Sequence, residues 1–147
     1  MKMKFLTLSF TMIALFTFSA CKKNKDETPV SKLSLLTGKP WVMTKNEVQF
    51  NGGPLMDVFP FFENCEKDDR WVFKVDGSVE LNEGPAACDN NTPGLVSDEL
   101  RRSFRDNETK LEIDGKLSVI EQLDQSVLRA YINDPVAGKV VLHFAHP

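Results

Sequence analysis

Few residue types in this 147-residue chain can do covalent, metal or acid–base chemistry, and their positions restrict what that chemistry is. The two histidines, His143 and His146, lie near the C-terminus, and no Gly-x-Ser-x-Gly element accompanies them. His143 falls on the strand face opposite Val140, Leu142 and Phe144, which predicts a side chain directed to solvent. Neither a paired histidine motif nor Cys-x-x-Cys is present, so no transition-metal site is expected. Carboxylates gather at Glu63, Glu66, Asp68 and Asp69, with Asp89 beyond. Hard oxygen ligands of this kind suit calcium, but the spacing does not follow an EF-hand loop, and adjacent acids in a polar loop are usually solvated. The expectation is a protein with no catalytic residues, no metal and no cofactor.

The chemistry that remains belongs to three cysteines. Cys21 follows an unusual N-terminus. Residues 1–20 carry 13 apolar residues, including four of the eleven Phe and three of the five Met. Lys2 and Lys4 precede an apolar stretch, Phe5 to Phe18, that is shorter than the ~20 residues a membrane-spanning helix needs. That arrangement predicts a secretory signal peptide. Its end, Phe18-Ser19-Ala20-Cys21, resembles a bacterial lipobox, in which small residues admit the peptidase and the cysteine thiol receives a diacylglycerol. Phe18 replaces the usual Leu. Each buried methylene of an acyl chain contributes ~0.8 kcal/mol to membrane attachment, so a lipidated Cys21 would be held firmly.

The segment Lys22-Lys23-Asn24-Lys25-Asp26-Glu27-Thr28-Pro29 is polar and lacks apolar periodicity, as a tether between membrane and domain should. Lys25-Asp26-Glu27 is similar to a surface-export signal of some lipoproteins, and reads equally well as plain solvated linker. The expected division is residues 1–20 as leader, 21–32 as lipidated terminus and tether, and 33–147 as one folded domain. Without the leader, 16 basic residues face 21 acidic ones, a net charge of −5. Such a balance argues against a nucleic-acid partner. The size excludes a multidomain enzyme.

Export also governs the other two cysteines. With Cys21 lipidated, Cys65 and Cys88 form an even pair in an oxidising compartment, where a disulfide is the default expectation.

Pro54-Leu55-Met56-Asp57-Val58-Phe59-Pro60-Phe61-Phe62 is apolar for a connecting segment. Three uses compete. Phe59, Phe61 and Phe62 form a lid over a ligand, or fill the interior of a small barrel, or present a sticky patch to a protein. The large aromatics Trp41, Trp71 and Phe73 favour a filled interior, since an eight-stranded barrel holds packed side chains or one small ligand.

These residues must be positioned by strands. Ser31 to Leu36 reads as one helical turn stopped by Gly38 and Pro40, and Trp41 to Phe50 as a strand ending at Asn51-Gly52-Gly53-Pro54. Trp71, Phe73 and Val75 share a face before the Asp76-Gly77 turn, with Val79 and Leu81 on the returning strand. Val96 to Asp106 is helical by propensity but is expected as a strand from its place among hairpins. Leu111 and Ile113 precede an Asp114-Gly115 turn, and Val119 shares a face with Leu117. Leu128, Ala130 and Ile132 alternate with Val127, Arg129 and Tyr131, ahead of the last strand. About eight strands joined mainly by short turns predict an antiparallel meander, and closure removes its exposed edges.

The chain resembles the lipocalin-like lipoproteins of Bacteroidetes. The resemblance rests on Leu36-Thr37-Gly38-Lys39-Pro40-Trp41, Cys65-Glu66-Lys67-Asp68-Asp69 before Arg70-Trp71-Val72-Phe73, Asp76-Gly77, Glu83-Gly84 ahead of Cys88-Asp89, and Leu111-Glu112-Ile113. It covers about Leu33 to Phe144. It implies an all-β fold, an antiparallel up-and-down eight-stranded lipocalin-like barrel, a Cys65–Cys88 disulfide and Trp41 plugging the closed end. Gly38 and Trp41 stand three apart, where the familiar lipocalins carry Gly-x-Trp.

The resulting expectation is a non-catalytic cell-envelope lipoprotein, anchored through the lipid on Cys21, at the outer membrane. It binds a small hydrophobic ligand through Phe59, Phe61, Phe62, Trp71 and Phe73. The alternative is a protein-interaction module, an inhibitor or accessory subunit of an envelope complex, with a filled barrel. Sequence names neither the ligand nor the protein partner.

Overall fold

The computed structural model describes residues 30–88 and 95–147. Cys21 and Asp89 lie outside them. The chain begins with helix α1 (Lys32–Thr37) and continues through strands β1 (Trp41–Gln49), β2 (Leu55–Asp57), β3 (Arg70–Phe73), β4 (Ser78–Asn82), β5 (Leu95–Arg105), β6 (Lys110–Ile113), β7 (Lys116–Leu123), β8 (Val127–Asp134) and β9 (Gly138–Ala145). Between β2 and β3 come a 3-10 turn at Phe59–Phe61 and the single-turn helix α2 (Asn64–Lys67).

Neighbours in the sheet are antiparallel, and β1 pairs with β9, so eight strands (β1 and β3 to β9) form a closed barrel. The segment expected to be strand from its context is β5. The ninth strand, β2, was not expected. It takes up three residues of the apolar stretch that reads as a loop, and pairs with β1 at Glu47 to Gln49. One edge of β1 is thereby shared, since β3 meets it only at Trp41 and Val42.

Turn chemistry sets the hairpins. Asn51-Gly52 and Asp114-Gly115 place two successive residues at positive φ, the geometry whose twist matches paired strands. At the closing seam, Gly138 (φ +81°) approaches β1 so nearly that a Cβ would lie 2.2 Å from the Gln49 carbonyl oxygen. Val75, expected to share a strand face with Trp71 and Phe73, lies instead in the Lys74–Gly77 turn and is 73% exposed.

Bulges decide which side chains enter the barrel. The pairing of β1 with β9 shifts between Met43 and Lys45. Met43 pairs with Phe144 before the shift, and Asn46 and Val48 pair with Leu142 and Val140 after it. Paired residues share a face, so all six point inward, while Glu47 and Lys45 point out beside Val141 and His143. Val141 is fully buried on that outer face. Its cross-strand partners there are Glu47 and Tyr131, with Lys139 4.1 Å from the Tyr131 ring centre and Glu121 bound to both Arg129 (3.0 Å) and Lys139 (3.4 Å).

Helix α1 is capped by Ser31, whose hydroxyl accepts from the Ser34 N–H at 3.1 Å. It packs against both β3 and β7. These strands are four apart in a ring of eight, so a helix touching both lies across one end. Leu36 and Trp41 are fully buried beneath it, and the Trp41 indole N–H donates to the Leu36 carbonyl at 2.9 Å. This end of the barrel is closed.

Candidate ligand cavity

Above Trp41 the inner faces do not meet. They leave a cavity of about 270 Å³, bordered by side chains from seven of the eight barrel strands, all but β4. The expectation of a filled interior is therefore corrected. The reason lies in side-chain size at facing positions: Ser118 and Ala130 stand where larger residues would reach across.

Each wall follows from strand alternation. Trp71 and Phe73 come from β3, Leu111 and Ile113 from β6, Leu128, Ala130 and Ile132 from β8, and Leu142 and Phe144 from β9. Trp71 meets Phe144 edge-on with ring centres 6.2 Å apart. The Ser118 hydroxyl donates to the Leu111 carbonyl at 2.8 Å, so its proton is already engaged. The remaining polar side chains bordering the cavity are Asp114 and Lys116, both exposed, at the turn between β6 and β7.

Of the five residues expected to contact a ligand, Trp71 and Phe73 border the cavity. Phe59, Phe61 and Phe62 do not. The backbone N–H of Val58 donates to the Asn46 carbonyl at 2.8 Å and pins their segment against β1. Phe59 and Phe62 then pack on each other, ring centres 5.6 Å apart, and Phe61 is 85% exposed. Met43, Ala130 and Leu142 were not singled out by sequence. Period-two alternation assigns such residues to a face, but not to the level at which a cavity opens.

Cys65 and Cys88 are joined by a disulfide. Glu63 lies near both, and its carboxylate is 3.7 Å from the Cys65 sulfur. As half-cystines the two sulfurs are not thiolate ligands, which removes the metal reading of that trio. Asp68 accepts from the Ala86 N–H at 2.9 Å. Burial, followed by the charges of Asp68, Glu83 and Glu66, pushes the Asp69 carboxyl above the ordinary range. Among the described residues, Asp68 and Asp69 belong to no cluster of three metal-ligand atoms.

His143, expected to face solvent, is correctly placed on the outer face but is only 22% exposed, with Nε2 2.8 Å from Glu47 Oε2. His146 Nδ1 lies 2.8 Å from the Pro40 carbonyl oxygen, its ring centre 3.9 Å from that of Trp41. Neither imidazole borders the cavity.

Several carboxylates titrate low because they fasten turns. Asp124 accepts from the Gln122 side chain, the Ser126 and Val127 N–H groups and the Ser126 hydroxyl, which hold its carboxyl far below the usual range. The Ala137 and Val136 N–H groups lower Asp134, and the Ser78 hydroxyl and N–H lower Asp76. Lys45, then His143, lowers Glu47. A depressed folded-state pKa means that stability is present above the unfolded value and lost as pH falls through the folded one. Asp69 acts oppositely, stabilising the fold as it takes up a proton. We predict that the urea midpoint declines steeply below pH ~4, and that Asp124→Asn flattens part of the decline. A midpoint constant from pH 5 to pH 2 would refute this assignment.

Compared with family patterns, curated proteins and solved structures, the chain matches none of them.

Proposed function

We propose that this chain is a cell-envelope lipoprotein whose barrel binds a small apolar ligand and performs no catalysis. The observation that carries the binding reading is the cavity of about 270 Å³, lined chiefly by apolar side chains. Interiors normally pack at crystal-like density with few voids larger than a water molecule. A void of this size, open at a rim with charged groups, fits the pattern of an apolar pocket with a few polar groups at its mouth. The volume lies just under the ~300–1,000 Å³ of typical ligand sites, so the ligand class is small.

Ala130 is 5% exposed and borders the cavity. Replacing it with Phe fills the space from the wall. Overpacking of this kind costs ~1–3 kcal/mol. The expected result is a folded variant, by circular dichroism, that has lost binding of decanol measured by calorimetry. No binding by the wild-type protein to decanol or any apolar compound of similar size would sink the reading.

The anchoring part of the proposal rests on Phe18-Ser19-Ala20-Cys21. Mass spectrometry of protein extracted from bacterial membranes is expected to show a diacylglyceryl-modified Cys21 at the N-terminus. Cys21→Ser should move the protein to the soluble fraction; an unchanged membrane fraction would reject lipid anchoring.

A protein-interaction role is the second reading, favoured by the exposure of Phe50 (49%), Met56 (49%) and Phe61 (85%). It requires a partner whose binding is lost in Phe61→Asp while ligand binding in the cavity persists.

A further inference from the structure

The cavity's charged side chains are confined to one place on its rim. Lys116 pairs in register with Ile113, so it leaves β7 on the inner face. The tight turn, with Asp114 at φ +51° and Gly115 at +79°, brings Asp114 to the same border. Among the described residues, neither side chain has a hydrogen-bond or ion-pair partner, and they are not paired with each other. Asp134, whose charge is felt from Lys116, is occupied by the Val136 and Ala137 N–H groups at 2.8 Å each. Deeper in, the Ser118 hydroxyl proton is spent on Leu111.

An apolar ligand entering past this rim must therefore meet one ammonium and one carboxylate side by side. Resting on the reading of the cavity as a binding site, we propose that its ligand is a zwitterionic amphiphile. The apolar body occupies the barrel, a cationic group faces Asp114 and an anionic group faces Lys116. A singly anionic head would meet Lys116 but be repelled by Asp114. A singly cationic head would meet Asp114 but be repelled by Lys116. Complementary charge suppresses such mismatches even where each rim pair contributes little to affinity.

The test is a matched ten-carbon series, used below micellar concentrations and at low ionic strength: decanol, decanoate, decyltrimethylammonium and N-decyl-N,N-dimethylglycine. Binding to the full mature protein is measured by calorimetry. The zwitterion is expected to bind roughly threefold to tenfold more tightly than either singly charged member, the range that two exposed ion pairs supply. Asp114→Asn, whose new side chain tolerates the left-handed backbone, should turn the preference towards decanoate. Lys116→Gln should turn it towards the cation. Equal binding of all four, in the wild type and both variants, would overturn the head-group assignment and leave the cavity reading standing. Failure of all four, decanol included, would overturn both.

Discussion

Replacing Trp41 with alanine is expected to lower the free energy of unfolding by about 3–5 kcal/mol, the cost of truncating a fully buried aromatic. Trp41 has no exposed surface and sits where α1, β1 and the C-terminal residues converge. Its ring belongs to one buried cluster with Phe73, Leu111, Leu128 and Phe144, which border the cavity, and its indole N–H is the donor to the Leu36 carbonyl at 2.9 Å. Removing it opens a void beneath α1 and strands that carbonyl. Trp41→Phe isolates the second effect. It retains most of the apolar area, loses the hydrogen bond, and should cost about 1–3 kcal/mol. Urea denaturation, with the slope checked between variants, measures both. A loss below about 1 kcal/mol for Trp41→Ala would mean that the floor of the barrel is not held by this residue. The alanine variant should also weaken ligand binding, because four cavity-lining residues lose the ring they cluster with.

The second large effect concerns the disulfide. Cys65 in α2 and Cys88 after β4 enclose a separation of 23 residues that includes β3 and β4. Closing a loop of this length restricts the unfolded chain by about 3 kcal/mol in the chain-entropy account. For a domain of this size that corresponds to roughly 10–15 °C in Tm. The link matters because β3 holds β1 at only two positions, so the Asn51–Asp69 excursion depends on other ties to stay at the barrel. The double variant Cys65→Ser/Cys88→Ser is the suitable probe, since a single change leaves a reactive thiol. Calorimetry of the variant and of wild type with and without dithiothreitol should show the same drop. An unchanged Tm on verified reduction would refute a stabilising role.

The all-β architecture was legible from local patterns. Asp114-Gly115 and Asn51-Gly52 carry the residue types that tolerate positive φ, and Leu128-Ala130-Ile132 carries the period of a half-buried strand. Such signals are local, so a single chain displays them. Their limit appears in β7, where Leu117 and Val119 share a face as expected, yet that face is the outer one and Leu117 is 43% exposed. The inner positions are Lys116, Ser118 and Ile120. Alternation defines two faces without saying which one the other seven strands cover.

In β1 the shift between Met43 and Lys45 reverses the alternation midway, placing Asn46 and Val48 inside where unbroken counting would place Lys45 and Glu47. No residue in Met43-Thr44-Lys45 announces a bulge, because the register is imposed by β9. The candidate site behaves similarly. Trp71 and Phe73 are recognisable as large inward residues, whereas for Phe59, Phe61 and Phe62 apolarity alone leaves a ligand lid, a filling cap and a sticky patch open. Their segment is held against β1 through the Val58–Asn46 hydrogen bond, away from the cavity.

Sequence alone determined the fold class, the order of the eight barrel strands and their turns, and the expectation that Cys65 and Cys88 pair. Each depends on side-chain chemistry over short spans or on the count of a reactive residue. Only the tertiary structure decided that the barrel is hollow and that Asp114 and Lys116 stand together at its rim. A void is set by the summed volumes of side chains on strands distant in sequence, and a rim by which turns share one end of the barrel. Neither quantity exists until the strands close.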